Sequence, residues 1–386
     1  MIKLSSKEDC CGCYACVTAC PASCISMQPD EEGFFYPVTD KEACVACGLC
    51  QKVCPVIQTS DSRKTLSVYA AKNTSDETRK KSSSGGVFSL LAERVIEDGG
   101  VVFGACFNDK NEVIHTYATV QEELAIFRGS KYVQSKMGNT YRLAEEFLQS
   151  GRRVLFSGTP CQILGLHRYL KKKYSNLLTV DFICHGVPSP GVWQTYLQEL
   201  RRKFSVEAVQ NVSFRDKKLG WKNFSFSFDF SKKDKVIHYV APKYLNHYMR
   251  GFLSDLYLRP ICYQCPVRSL KSGSDITLGD FWGTGRVFPA FDDDKGISAV
   301  LINTSLGMSC FDTLSCEKKI SSYEEVIKGN HSLETSHVKP AERAQFYSRF
   351  TKESFFSLIE ELTHMSWKDR LKLKIINFRF RLEKYK

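Results

Sequence analysis

Two cysteine runs of identical spacing fill the first 55 residues and dictate what this part of the chain can fold around. The first reads Cys10-x2-Cys13-x2-Cys16-x3-Cys20-Pro21, the second Cys44-x2-Cys47-x2-Cys50-x3-Cys54-Pro55. Three thiolates this close wrap three iron corners of one cubane. The chain then turns away and the fourth cysteine reaches across to a second cubane, the bacterial two-cluster pattern. On that rule Cys10, Cys13, Cys16 and Cys54 hold one 4Fe-4S cluster, and Cys44, Cys47, Cys50 and Cys20 hold the other. Zinc sites usually pair two C-x2-C halves across a longer gap. Cys11 and Cys24 stand outside the pattern and are read as spare thiols.

Ten of the 17 cysteines lie between Cys10 and Cys54, a density that in an exported chain means disulfides. The odd total argues against complete pairing. The start, Met1-Ile2-Lys3-Leu4, leaves no room for a signal peptide before Cys10, so a reducing cytoplasm is the expected compartment. The chain has 386 residues, enough for this module and one large domain. Its formal net charge is +12, but no nucleic-acid motif accompanies the charge, and nucleic acid is not an expected partner. Apolar runs fall far short of the roughly 20 residues a membrane-spanning helix needs.

Residues 1–57 read as a loop-rich module held together by its metal, and 58–66 as a polar linker. Beyond it, strands are expected at 67–71, 101–107, 153–156 and 177–184, with helices at 87–96, 140–149 and 161–173. Residues 223–230 alternate Phe with polar side chains, the mark of a half-buried antiparallel strand. Residues 246–259 read as helix, and 276–278 and 299–302 as short strands. The order predicts a mixed α/β protein: a small two-cluster ferredoxin-like domain, then a larger α/β domain over 67–340. Residues 341–386 are expected to form a helical, basic tail, with eight Lys/Arg against two acidic residues after Trp367. Two readings of it stand: a terminal helix packed on its own domain, or peripheral contact with the inner membrane surface.

Four features of the larger domain carry unusual chemistry. Cys161 lies just past a strand end, Cys184 closes a buried strand, Cys262-x2-Cys265-Pro266 is a paired motif, and Asp275-Ile-Thr-Leu-Gly-Asp280-Phe-Trp282-Gly283 follows it. An isolated cysteine is also a small buried hydrophobe. Taken together, Cys161, Cys184, Cys262 and Cys265 suit a third 4Fe-4S cluster. No G-x-G-x-x-G follows a strand, so a Rossmann nicotinamide site is not indicated.

The chain resembles the coenzyme F420 hydrogenase/dehydrogenase beta-subunit family. The residues that carry this are Ser83-Ser-Gly-Gly86, Arg128-Gly-Ser130-Lys131-Tyr132-Val-Gln-Ser135, Ser157-Gly-Thr-Pro-Cys-Gln162, Cys184-His-Gly-Val-Pro188, Cys262-x2-Cys265 and 275–283. The resemblance spans about residues 67–305. It implies an iron-sulfur flavoprotein oxidoreductase that binds FAD in the larger domain and exchanges hydride with a deazaflavin or another small organic donor or acceptor. A flavin is the natural adapter between one-electron clusters and a two-electron hydride. A redox partner protein or soluble ferredoxin then serves the clusters. Under this reading Ser84, Gly85 and Gly86 open a helix whose N–H groups favour phosphate, although such a turn is also an ordinary N-cap. Arg128, Ser130 and Lys131 face the pyrophosphate or an acidic substrate, the alternative being surface solvation. Ser157, Gly158 and Thr159 form a strand-end turn at the usual crevice position. His185 is the catalytic candidate, as proton donor or hydrogen-bond partner of reduced flavin; support of a cluster thiolate stands equally open. The rival function is an electron-transfer or docking subunit with no substrate site of its own.

Overall fold

The computed structural model describes residues 1–363 apart from Glu207, Lys233 and Asp234, together with Trp367, Leu371 and Ile375. Each cysteine run curls into a single helical turn, Ala15–Thr18 and Leu49–Lys52. Between them lies an antiparallel hairpin of β1 (Ile25–Pro29) and β2 (Phe35–Thr39). The Asp30 carboxylate shapes its turn by accepting from the Glu32 and Phe34 amides. Ile2, Cys24, Ile25 and Cys50 make up the buried part of the module's own apolar cluster. So small a core needs a staple, and bound metal supplies one.

The larger domain is built on a mixed sheet. Its strands are β3 (Ser67–Asn73), β4 (Val101–Phe107), β5 (Val113–Ala118), β6 (Val154–Gly158) and β7 (Leu177–Phe182). Three further strands form a separate antiparallel sheet: β8 (Gln210–Asp216), β9 (Ser225–Lys232) and β10 (Lys235–Pro242). The chain then returns with β11 (Ile276–Asp280), β12 (Ser298–Ile302) and β13 (Cys316–Ser321). Among the described residues the main sheet has eight strands in the order β13-β3-β12-β11-β7-β6-β4-β5. The contiguous strands β11, β7, β6 and β4 are parallel.

Parallel strands are covered on both faces, and the side chains show it. Val102, Leu155 and Val180 pack with Val87, Leu91 and Val95 of the helix Val87–Glu97. Phe103 and Phe156 point the other way, onto Tyr141 and Ala144 of Thr140–Gln149 and Ile163 and Leu166 of Pro160–Leu170. The Phe alternation around β9 also lands as expected. Phe224, Phe226, Phe228 and Phe230 are all buried in the core that holds Trp193 and Leu197 of the helix Pro190–Phe204.

One expected element is shorter than its pattern. The stretch 246–259 yields only the helix His247–Leu253, because Asp255 takes a left-handed φ of 57° and turns the chain. Helices Glu342–Arg349 and Phe355–Leu362 pack Phe346, Phe350, Phe355, Leu358 and Ile359 into the main core. The basic stretch proposed for membrane contact lies almost entirely outside the described residues; Trp367, Leu371 and Ile375 are exposed. Among the described residues no helix is long and apolar enough to cross a membrane.

Candidate functional site

Fourteen of the 17 cysteines gather at three places. Cys20, Cys44, Cys47 and Cys50 line one concavity of the module, and Cys24 stands in its wall with its Sγ 3.3 Å from that of Cys20. Cys10, Cys16 and Cys54 face one another: burial pushes the Cys16 thiol up, and the Cys10 and Cys54 sulfurs push it further. Cys13 is buried beside them, with its Sγ 3.2 Å from where a side chain on Gly165 would begin. These are the two groups that the spacing rule assigns.

The third place is in the larger domain. Cys161, Cys184, Cys262 and Cys265 line a single cleft. The parallel strands position them. Cys161 sits in the first turn of Pro160–Leu170, just past β6, and Cys184 lies two residues past the neighbouring β7. Cys262 belongs to the 3-10 turn Pro260–Gln264, and Cys265 ends it. Burial, then Cys265, raises the Cys262 thiol to about 12, and burial, then Cys262, raises Cys184 well above the usual thiol range. Thiols crowded like this resist ionisation by themselves, whereas a polyvalent metal centre draws the protons off. The donor set therefore fits a cubane.

Neighbouring groups brace this set. Thr159 caps its helix through a reciprocal pairing with Gln162, and its Oγ1 lies 3.2 Å from the Cys161 sulfur. The Cys265 amide donates to Ser336 Oγ at 3.0 Å. Arg268 donates to the carbonyls of Cys184 and His185, at 3.0 and 3.1 Å. Asp181 lines the same cleft; burial raises its carboxyl to about 6 while Ser274 and Thr277 hydroxyls donate to it.

Cys11, set aside as a spare thiol, lies in the wall of this third cleft and shares sulfur contacts with both Cys13 and Cys161. Consecutive residues, Cys10 and Cys11, thus face two different groups. Arg259 sits at this junction, fully buried. Its Nε donates to the Cys10 carbonyl at 2.7 Å, Nη1 to Gln134 Oε1 at 2.8 Å and Nη2 to the Phe35 carbonyl at 3.0 Å. Spacing carried no signal for either residue, because Cys11 breaks the run and Arg259 is one arginine among many.

The residues proposed for flavin form a second constellation. Gly85 is wedged between strands: a side chain there would begin 2.4 Å from the Ala71 carbonyl oxygen and 2.7 Å from the Ser298 amide. Its own amide donates to Ser298 Oγ at 3.0 Å, Ser84 Oγ donates to the Ile297 carbonyl at 2.7 Å, and Gly86 caps Val87–Glu97. The Ser130 amide donates to Ser83 Oγ at 2.6 Å. Arg128 is turned onto that same helix, towards Ser89 and Glu93, and Lys131 donates to the Ile126 and Arg128 carbonyls. Both cations are thus braces within the protein, and burial lowers Lys131 to about 8. Two further cations at the turn, which sequence patterns do not mark, are engaged in the same way. Arg215 donates to the Ser83 carbonyl and pairs with Asp280 at 2.8 and 3.1 Å. Lys217 donates to the Ser84 carbonyl at 2.7 Å, and burial followed by Arg215 lowers it to about 7. Lys217 also donates to the Arg79 and Lys295 carbonyls, so what the turn itself offers an anion is the N-terminus of Val87–Glu97.

At the C-terminal end of β6, Ser157 Oγ donates to the Phe103 carbonyl and the Ser157 carbonyl accepts from His115 Nε2 at 3.0 Å. Gly158 packs against Gln162 and ends the strand. His185 turns its ring to Asp255, Nε2 to Oδ1 at 2.6 Å, with the Phe252 ring 4.8 Å away; burial lowers its pKa while Asp255 pulls the other way.

Comparison with known proteins bears on this arrangement. Residues 9–57 match the 4Fe-4S dicluster domain. Residues 68–141 match the coenzyme F420 hydrogenase/dehydrogenase beta subunit N-terminal region, and residues 151–326 its C-terminal region. No curated protein matches the chain. A solved structure, described as a xenon derivatization of the F420-reducing NiFe hydrogenase complex from Methanosarcina barkeri, contains a chain 19% identical, with a TM-score of 0.46; the match covers 79% of this chain and 95% of that one. The two beta-subunit regions together account for well over half of the sequence, preceded by two clusters' worth of module, and this chain belongs to the coenzyme F420 hydrogenase/dehydrogenase beta-subunit family as an iron-sulfur electron-transfer oxidoreductase subunit.

Proposed function

We propose that the chain is an iron-sulfur flavoprotein that joins one-electron carriers to an organic hydride donor or acceptor. The observation that carries this reading is the convergence of Cys161, Cys184, Cys262 and Cys265 on one cleft, one residue removed through Cys10 and Cys11 from a module cluster. Cys10, Cys13, Cys16 and Cys54, then Cys20, Cys44, Cys47 and Cys50, hold the module's two clusters. The four cysteines of the cleft hold a third. FAD, when bound, supplies the conversion between single electrons and hydride. Ser84, Gly85, Gly86 and Ser130 form its phosphate cradle at the N-terminus of Val87–Glu97. Ser157, Gly158 and Thr159 line the approach at the strand ends. A deazaflavin of the F420 kind is the candidate substrate, and a redox partner protein or soluble ferredoxin serves the module.

The module concavity that holds Cys47, an exposed residue beside the exposed Val45, is the natural port for that partner. Inside, Arg259 holds the Cys10 backbone in register with the large domain, and Arg268 holds the Cys184 loop. Thr159 Oγ1 donates a hydrogen bond to the Cys161 sulfur when that sulfur is a thiolate.

Anaerobically purified protein is expected to contain about 12 iron atoms, three cubanes, and extractable FAD. Cys161→Ser and Cys262→Ser should each lose about four of those irons and leave the module's signal intact. About eight irons, no flavin and unchanged iron in both variants would leave instead a docking subunit that feeds electrons to a separate enzyme.

A further inference from the structure

Among the described residues, one set of metal-ligating side chains lies outside the cysteine groups. His185 comes from the loop after β7, Asp255 from the turn after His247–Leu253, and His337 from the segment before Glu342–Arg349. His185 Nε2 lies 2.6 Å from Asp255 Oδ1, and His337 Nδ1 lies 3.2 Å from Asp255 Oδ2. One ligand atom from each residue falls within 4.8 Å of the other two. The two imidazole rings lie against each other, tilted by 35° with centroids 3.8 Å apart.

Neutral imidazole is the form in which histidine ligates metal, and a cation set between the three groups satisfies both carboxylate contacts with both rings neutral. The surroundings suit that form. His337 Nε2 lies 2.9 Å from Ser332 Oγ, and with the proton donated there Nδ1 keeps its lone pair. Asp255 is held at a left-handed φ of 57° while its carbonyl accepts from the Tyr263 hydroxyl at 2.5 Å. Arg268 fixes the backbone of the Cys184–His185 loop through both carbonyls.

The dimensions also suit an ion. Metal bonds of about 2.0–2.2 Å place neighbouring ligand atoms roughly 3.3 Å apart. The His337 contact already has that spacing, and the His185 contact reaches it with a small ring rotation. The three side chains are between 16% and 29% exposed, so an ion can enter from solvent and water can complete its shell.

We propose that His185 Nε2, His337 Nδ1 and an Asp255 carboxylate oxygen form a mononuclear site for a borderline divalent cation of the zinc kind, separate from the iron-sulfur clusters. Two imidazoles and one carboxylate are the donor set such ions favour. The site gives His185 a ligand's role and ties three separate chain segments together beside the third cleft. It does not depend on the flavin reading.

The test uses full-length protein with its clusters loaded. The protein is equilibrated anaerobically with Zn²⁺, desalted, and read by elemental analysis and zinc-edge X-ray absorption. One retained zinc per chain with a nitrogen and oxygen shell is the expected result. His337→Gln should weaken zinc binding roughly tenfold or more without changing the iron content. No retained zinc, a shell dominated by sulfur, or equal binding by a His337→Gln protein of unchanged iron content would each overturn the proposal. Should the variant lose iron as well, the absorption spectrum of the unmodified protein decides alone.

Discussion

His115 shows how a single buried residue ties the site to pH. It is enclosed, and its tautomer is set by its neighbours. Nε2 donates to the Ser157 carbonyl at 3.0 Å, so Nδ1 accepts from Ser135 Oγ at 2.9 Å, and Ser135 Oγ in turn accepts from Gln162 Nε2. Burial pushes its pKa down from 6.5 to about 4, with the Ser157 bond recovering only part. The fold thus favours the neutral ring. That stability is complete above pH 6.5 and drains away as pH falls towards 4, a span of ~3 kcal/mol at most. His115→Gln keeps a donor for Ser157 but does not titrate. Denaturation midpoints of the variant should vary less between pH 6.5 and 4 than those of the parent; parallel curves would refute the assignment. Nothing in the sequence flags His115. Its role depends on Ser135, Ser157 and Gln162 meeting across separate elements. The eight module cysteines are the opposite case, since there a local spacing is itself the geometry. Cys11 falls between: its position in the run is plain, but the direction of its side chain is a backbone property that spacing does not encode.

At the scale of elements, legibility followed burial. The two-face parallel strands β4, β6 and β7 are continuous apolar runs, and Val101–Phe107 and Thr140–Gln149 stand where the pattern puts them. The edge strand β13 does not announce itself, because Glu317, Lys318 and Lys319 keep it charged and exposed. Such charges protect a sheet edge from pairing with another chain. The helix Pro190–Phe204 was legible but overlooked. Ser189 caps it by accepting from the Gly191 and Val192 amides, Pro190 opens it, and Val192, Trp193, Tyr196, Leu197 and Leu200 mark its buried stripe. The turn into Val87–Glu97 is the element most sensitive to substitution. A methyl at Gly85 meets backbone on two strands, so Gly85→Ala should cost about 1–3 kcal/mol by forcing β3 and β12 apart. Thermal unfolding of the variant checks this, and an unshifted transition would show that the turn can yield.

Across the whole molecule, the module is fastened to the large domain by buried polar contacts. Arg343, from Glu342–Arg349, grips both oxygens of Glu32 in the module hairpin at 2.9 and 2.6 Å and also donates to the Leu258 carbonyl. Beside it the Ser189 hydroxyl donates to the Glu32 carbonyl, and Gly33 and Gly191 meet so closely that a side chain on Gly33 would begin 2.5 Å from the Gly191 α-carbon. Removing one partner of a buried ion pair strands the other charge, at a cost of about 3–5 kcal/mol. Arg343→Met should therefore lower the denaturant midpoint of module release, followed through the visible absorbance of its clusters, while Arg349→Met, on an exposed pair with Glu353 and Glu361, should leave it nearly unchanged. Equal effects would place the fastening elsewhere. No local pattern foretells this pairing, since the two residues are 311 positions apart.

That separation also sets an order of manufacture. A ribosome delivers all eight module cysteines by residue 54, and Arg343 only near the end of the described chain. The hairpin leaves the tunnel with its carboxylate unclaimed, and the residue that will clasp it follows 311 positions later. Iron can thus reach the module while those residues are still being made, before the lock closes.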